Sequence, residues 1–187
     1  MATSAVTNAA SGMPASLMAR LAAALYFVAV ATAVTAEFIL PGRMGLAAVI
    51  VPIASYTGVV LLLCMVFRIV KAPLALFAAI CGLAALAFEA MQLQPGGVSV
   101  GMALHGLYCI ALGALMMQAR FVPRWVGVPM IFAGFVWELY LWPSVARHVA
   151  PYNTAAGLIC EVVPMLWLLV MGVNQEQWLA RMEGGRR

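Results

Sequence analysis

Aspartate is absent from the 187 residues, and the acidic complement is six glutamates. Charged residues of both signs make up only 9% of the chain, where a soluble domain carries roughly a quarter. With 66% hydrophobic residues and a mean hydropathy of +1.05, this composition excludes a surface that meets water on all sides. Cysteine is sparse as well. Cys64, Cys81, Cys109 and Cys160 each lie inside an apolar run without CxxC spacing, so a disulfide framework is not implied. They read as small apolar residues packed between helices. No nucleophile elbow, P-loop, HExxH or glycine-rich dinucleotide fingerprint occurs. The basic residues are scattered singly or in pairs at the ends of apolar runs. That distribution builds no aromatic-interleaved basic face and excludes a nucleic-acid partner.

What the chain has in quantity is apolar runs of about 20 residues, the length that crosses a bilayer core. They fall at 18–40, 45–67, 73–93, 98–118, 122–142 and 154–173, predicting an all-α polytopic bundle of about six spans. The breaks have local causes. Pro41-Gly42 ends the first run, Pro73 opens the third, the Gln94-Pro95-Gly96-Gly97 turn ends it, and Pro123 sits at the start of the fifth. Residues 1–16, rich in Ala, Ser and Thr, are expected to be a flexible leader, 17–174 the bundle, and 175–187 a cytoplasmic C-terminal tail with Trp178 as an interfacial anchor. Eight Lys and Arg fall on one side of this arrangement and two, Arg43 and Arg147, on the other, so both termini are expected to face the cytoplasm. Pro52, Pro129 and Pro164 fall inside spans as expected kinks. Small residues, among them Ala22, Ala29, Ala33 and Ala36 and the pair Gly97 and Gly101, signal close helix packing and leave the oligomeric state open.

Against this background the ionisable residues inside spans carry the chemistry. Glu37, Glu89, Glu138 and Glu161 belong to the first, third, fifth and sixth spans and His105 to the fourth. Each costs at least ~3 kcal/mol to insert, so such groups turn inward and have a use. Glu37, Glu89 and Glu138 fall about one turn from the outer ends of their spans, His105 and Glu161 about two turns, or ~10 Å. A shared polar cavity opening toward the outer side is therefore expected, with Arg147, His148 and Tyr152 over its mouth. Trp137, Tyr108, Tyr140 and Tyr56 are the aromatic residues expected to line it, where their faces favour positive charge. Four close carboxylates demand protonation, pairing with His105 and Arg43, or a metal.

From about residue 104 onward the chain resembles a family of small bacterial multi-span membrane proteins known only as a domain of unknown function. The resemblance is carried by LGALMMQARFVPRWVGVPMIFAG, residues 112–134, and ICEVVPMLWLLVMGV, residues 159–173. Pro123-Arg124 matches that family's short basic loop between spans, and Glu161 with Trp167 matches its acidic residue before a Trp-Leu-Leu run. The resemblance implies the architecture and a bacterial inner-membrane location, and no mechanism.

Three functions compete. The first is an intramembrane enzyme doing acid-base chemistry, such as cyclisation, isomerisation or hydration, on a lipid-soluble, isoprenoid-like substrate. Glu138 or Glu161 would be the acid, His105 or Glu89 the base, and Trp137 the stabiliser of a cation between them. That reading needs the bilayer and a hydrophobic small molecule as partners, and neither cofactor nor metal. The second is a metal site, or a proton- or metal-coupled transport path, to which carboxylates and imidazole are suited. The Glu-x-x-His pairs of di-iron bundles are missing. The third is a structural accessory subunit in which the glutamates pair internally.

Overall fold

The computed structural model describes residues 13–36, 45–91, 93, 95 and 98–184. In lipid every backbone N–H and C=O must pair within its own segment, so long apolar runs become helices. These are α1 (Ala15–Val34), α2 (Ala47–Phe67), α3 (Ala72–Ala90), α4 (Val100–Gln118), α5 (Gly127–Glu138), α6 (Pro143–Val149), α7 (Tyr152–Val170) and α8 (Gln175–Gly184). Five of them, α1 to α4 and α7, are long and apolar enough to cross a membrane. Arg124–Leu141, in which α5 is extended by a 3-10 turn at each end, reaches that length and apolarity only together with α6, into which the chain bends by 120°, so the bundle has five spans, or six if this bent pair is counted as one. No strand occurs among the described residues. The protein is an all-α polytopic membrane bundle.

Neighbouring helices pack in the order α1, α2, α3, α4, α5, α7 and back to α1, closing a ring. Its outer face carries large apolar side chains, among them Ile80, Phe135, Ile159 and Val170, each at least 60% exposed. Water would penalise such a face, whereas lipid does not. Inside the ring the small side chains of α1 (Ala15, Ala19, Ala22 and Ala23) are fully buried, which lets the helix axes approach closely.

The tightest approach joins α4 to α5 through two pairs of glycines. A Cβ on Gly106 would lie 2.8 Å from the Gly134 carbonyl oxygen, and one on Gly113 would lie 2.7 Å from that of Gly127. Both helices space their glycines seven residues apart, two helical turns, so antiparallel packing sets Gly106 opposite Gly134 and Gly113 opposite Gly127. This seam fixes the rotation of α4 and α5, and with it the directions of His105 and Trp137.

At the end where Arg20, Arg68, Lys71, Arg120, Arg124 and Arg181 gather, α8 folds back onto the bundle. Trp178, expected at the lipid interface, is instead only 9% exposed and donates its indole N–H to the Val66 carbonyl at 2.9 Å. Arg181 donates to Ile69 and Val70 carbonyls at 3.4 and 3.3 Å. The last carbonyls of a helix lack intrahelical partners, so α8 supplies donors just where α2 ends. Arg20 does the same for the Val170 carbonyl of α7. Gly172, at φ +66°, makes the left-handed turn between α7 and α8, and the Asn174 side chain caps α8 by accepting the Gln177 N–H at 3.1 Å.

Pro52 and Pro164 lie within α2 and α7 as expected. Pro129 does not interrupt a helix, because α5 begins at Gly127 and a proline in the first turn removes no intrahelical bond.

Candidate functional site

Glu161 is the tenth of the nineteen residues of α7, and so stands at mid-helix, deeper than the expected two turns. It is 3% exposed. A carboxylate so placed requires donors, and four side chains on three other helices supply them. Trp137 of α5 donates its indole N–H to Oε1 at 2.5 Å, and His105 Nε2 lies 2.9 Å from the same oxygen. The Cys109 thiol lies 3.7 Å from Oε1, and the Tyr56 hydroxyl of α2 donates to Oε2 at 3.5 Å. His105 and Cys109 are one turn apart on α4, and their Nε2 and Sγ atoms are 3.6 Å apart.

Rings enclose this carboxylate. His105 meets Tyr56, Tyr108 and Trp137 at centroid distances of 5.4, 5.8 and 5.8 Å, and Tyr56 meets Tyr26 at 6.1 Å. Tyr26 is fully buried, and its hydroxyl lies near Glu161 without direct hydrogen-bonding geometry.

Above the cluster is a cavity of about 340 Å³. Its floor is Tyr26, Tyr56, His105, Trp137 and Glu161, and its upper wall is Ala33, Pro52, Leu86, Glu89 and Gly101. Those upper residues lie toward the ends of α1 to α4 remote from the basic end, so the cavity belongs to that half of the bundle. Glu89 accepts from the Ser99 hydroxyl at 3.4 Å and lies against Gly101, whose missing side chain makes room for its carboxylate.

Of the residues singled out from sequence, Glu89, His105, Glu161, Trp137 and Tyr56 line this one volume. Glu138 is placed differently from these five. It does not line the cavity, because consecutive helical residues are rotated by about 100°, and with Trp137 directed at Glu161 the Glu138 carboxyl is carried round toward Gly106 of α4. Its Oε1 is buried there without a hydrogen bond among the described residues. Glu37 and Arg43 lie outside the described residues. Tyr108 packs behind His105, and Tyr140 packs on Trp137 while sharing a 2.8 Å hydrogen bond with Thr154. Arg147, His148 and Tyr152 are exposed, and none lines the cavity.

Two members of the cluster escape a reading of sequence alone. Cys109 reads as packing, yet its Sγ, His105 Nε2 and a Glu161 oxygen lie within 4.8 Å of one another, a group of three metal-ligating types. Its four-residue spacing from His105 was the available signal. Tyr26 interrupts the small-residue stripe Ala22, Ala29, Ala33 on one face of α1, and that interruption marks where the cavity floor begins.

No curated protein and no solved structure matches the chain. Residues 86–172, from the last turns of α3 to the end of α7, are similar to the family described as Domain of unknown function (DUF4386), and this matched stretch, a little under half of the chain, holds His105, Cys109, Trp137 and Glu161.

Proposed function

We propose that this protein takes a lipid-soluble small molecule, isoprenoid-like in character, into the cavity and carries out acid-base chemistry on it at the His105–Glu161 pair. The observation that carries the reading is the buried Glu161 carboxylate, bonded to His105 at 2.9 Å in the floor of a largely apolar cavity. A volume of about 340 Å³ is at the lower end of sites that hold small molecules. Glu161 orients the imidazole through Nε2, as a carboxylate does in hydrolytic triads, and leaves Nδ1 for a proton on the substrate. Trp137 and Tyr56 present electron-rich rings to charge developing nearby, and the Tyr26 hydroxyl, which makes no hydrogen bond of good geometry among the described residues, is placed to offer one to a polar head. Glu89, higher on the wall, is the second group able to exchange a proton. Isomerisation by proton shift is the simplest reaction these groups support, with cyclisation and hydration needing the same acid and base. Charge asymmetry directs the basic end to the cytoplasm of a bacterial inner membrane, and the cavity to the outer half.

The test is mass spectrometry of lipids and isoprenoids retained by the purified native protein, compared with His105→Gln and Glu161→Gln. The reading requires a reproducible apolar molecule that persists unconverted in the variants. Only bulk phospholipid in all three, with equal stability, would replace it by the accessory role, in which the hydrogen bonds to Glu161 merely lock the bundle.

A further inference from the structure

We infer that His105, Cys109 and Glu161 form a binding site for a divalent transition metal, zinc by ligand type, with its fourth coordination position turned toward the cavity. The inference rests on the proposed function only for the cavity that would receive the fourth ligand.

The distances carry it. Zinc holds sulfur at about 2.3 Å and nitrogen or oxygen at about 2.0–2.1 Å in a tetrahedron, which separates neighbouring ligand atoms by about 3.3–3.6 Å. Here the Sγ–Nε2 edge is 3.6 Å and the Sγ–Oε1 edge 3.7 Å. The third edge, Nε2 to Oε1, is 2.9 Å, and a side-chain adjustment of a few tenths of an ångström opens it. The three atoms thus form nearly one face of the required tetrahedron.

Placement and charge agree with that geometry. His105 and Cys109 are spaced i, i+4 on α4, which puts two ligands on one face, and Glu161 arrives from α7. Three protein ligands leave a position open for water or substrate, the pattern of catalytic rather than structural zinc. His105 and Glu161 both line the cavity, so that position faces it. On binding, the Cys109 thiol releases its proton to solvent, and the imidazole proton moves from Nε2 to Nδ1. A dication with one thiolate, one carboxylate and a neutral imidazole has no net charge, which suits the interior of a membrane protein, where unbalanced charge is costly. Trp137 and Tyr56, both donating to Glu161, would orient the liganding carboxylate from outside the coordination shell.

An ion here changes what the cavity does to a bound molecule. The acid-base agent becomes a metal-bound water of lowered pKa, or the ion polarises a substrate oxygen directly. Glu138, which does not line the cavity and is not one of the three clustered ligands, takes no part.

The experiment uses the full-length protein purified in detergent without chelator. Elemental analysis is expected to find a stoichiometric transition metal, and Co²⁺ exchanged into the site should give the visible bands of a tetrahedral ion with a thiolate charge-transfer band in the near ultraviolet. Cys109→Ser, nearly isosteric, should lose the charge-transfer band, and Trp137→Phe should weaken zinc affinity about 10–100-fold, as loss of an orienting partner does. Glu138→Gln should leave all readouts unchanged. The parent's thermal midpoint should rise with added zinc and not with magnesium, a measurement independent of whether any variant folds. A parent that binds neither zinc nor cobalt, or a folded Cys109→Ser with an unchanged cobalt spectrum, overturns the metal site. Either result leaves the retained-lipid test of the proposed function standing, and a metal-loaded protein without an apolar ligand separates the two in the other direction.

Discussion

Gly157 is the seat of the Trp137 indole: a Cβ at Gly157 would lie 2.7 Å from Cζ2 and 2.8 Å from Cε2 of that ring. Gly157 stands one turn before Glu161 on α7, so the absence of a side chain at one position delivers the indole N–H to the carboxylate at the next. Gly157→Ala is therefore expected to push the indole off Oε1 and to destabilise the protein by about 1–3 kcal/mol, the usual result of overpacking. Intrinsic fluorescence and unfolding in mixed detergent check this, with Gly184→Ala, where nothing lies within 4 Å of an added Cβ, as the control.

Removing the acceptor strands several donors at once. Glu161→Ala leaves the buried Trp137 N–H and the partly buried His105 without their partner, and a loss of about 3 kcal/mol is expected, the low end for breaking a buried pair. Trp137→Phe removes one hydrogen bond to a charged group and should cost about 1.5–3 kcal/mol. Equal stability of Glu161→Ala and the parent would show that these contacts hold nothing in place.

The α4–α5 seam is expected to be the least tolerant surface in the bundle. Gly113→Ala and Gly127→Ala both drive a Cβ into opposing backbone, which cannot move aside as a side-chain tip would. Each should cost about 1–3 kcal/mol or more, and should also perturb Trp137, because the seam sets the rotation of α5. Thermal unfolding with near-ultraviolet circular dichroism reads both effects.

The membrane bundle and its helices were legible in the sequence because bilayer thickness and backbone pairing leave a long apolar run few alternatives. The site was legible only as far as helical phase and depth allow. His105 and Glu161 stood out as costly residues in spans, but the seven-residue glycine spacings of α4 and α5 acquire meaning only when the two helices are set antiparallel. The same holds for Cys109. Its phase matches that of His105, yet whether a buried thiol packs against methyl groups or faces a carboxylate depends on which helix lies opposite. Trp178 was misplaced for a related reason: amphipathic rings serve equally at a lipid interface and as donors to an exposed helix end, and only the return of α8 onto α2 decides between them.

That return gives a further expectation. Trp178→Phe removes the donor to the Val66 carbonyl and Arg181→Gln those to Ile69 and Val70, each costing about 1 kcal/mol, with proteolysis of the C-terminal segment accelerated in proportion to the opened population. Unchanged cleavage would mean that α8 is held by its apolar face alone.

The last expectation contrasts two glutamates that sequence alone treats as equivalents. Glu161 has its carboxylate oxygens hydrogen-bonded by four side chains, and replacing it should be costly. Glu138 has a buried Oε1 that makes no hydrogen bond among the described residues, next to Gly106, one of the glycines at which the backbones of α4 and α5 approach closely. A buried polar atom without a partner carries a desolvation penalty of about 1–3 kcal/mol, so Glu138→Met, of similar length and flexibility, is expected to be neutral or stabilising where Glu161→Met is strongly destabilising. Retention of any apolar ligand should follow the same division, falling with Glu161→Met and not with Glu138→Met, since only the former residue borders the cavity. Paired unfolding and lipid-retention measurements decide the matter: a Glu138→Met protein that loses stability and ligand together would place that carboxyl inside the functional volume, and would mean that the rotation of α5 differs from the one its glycine seam dictates.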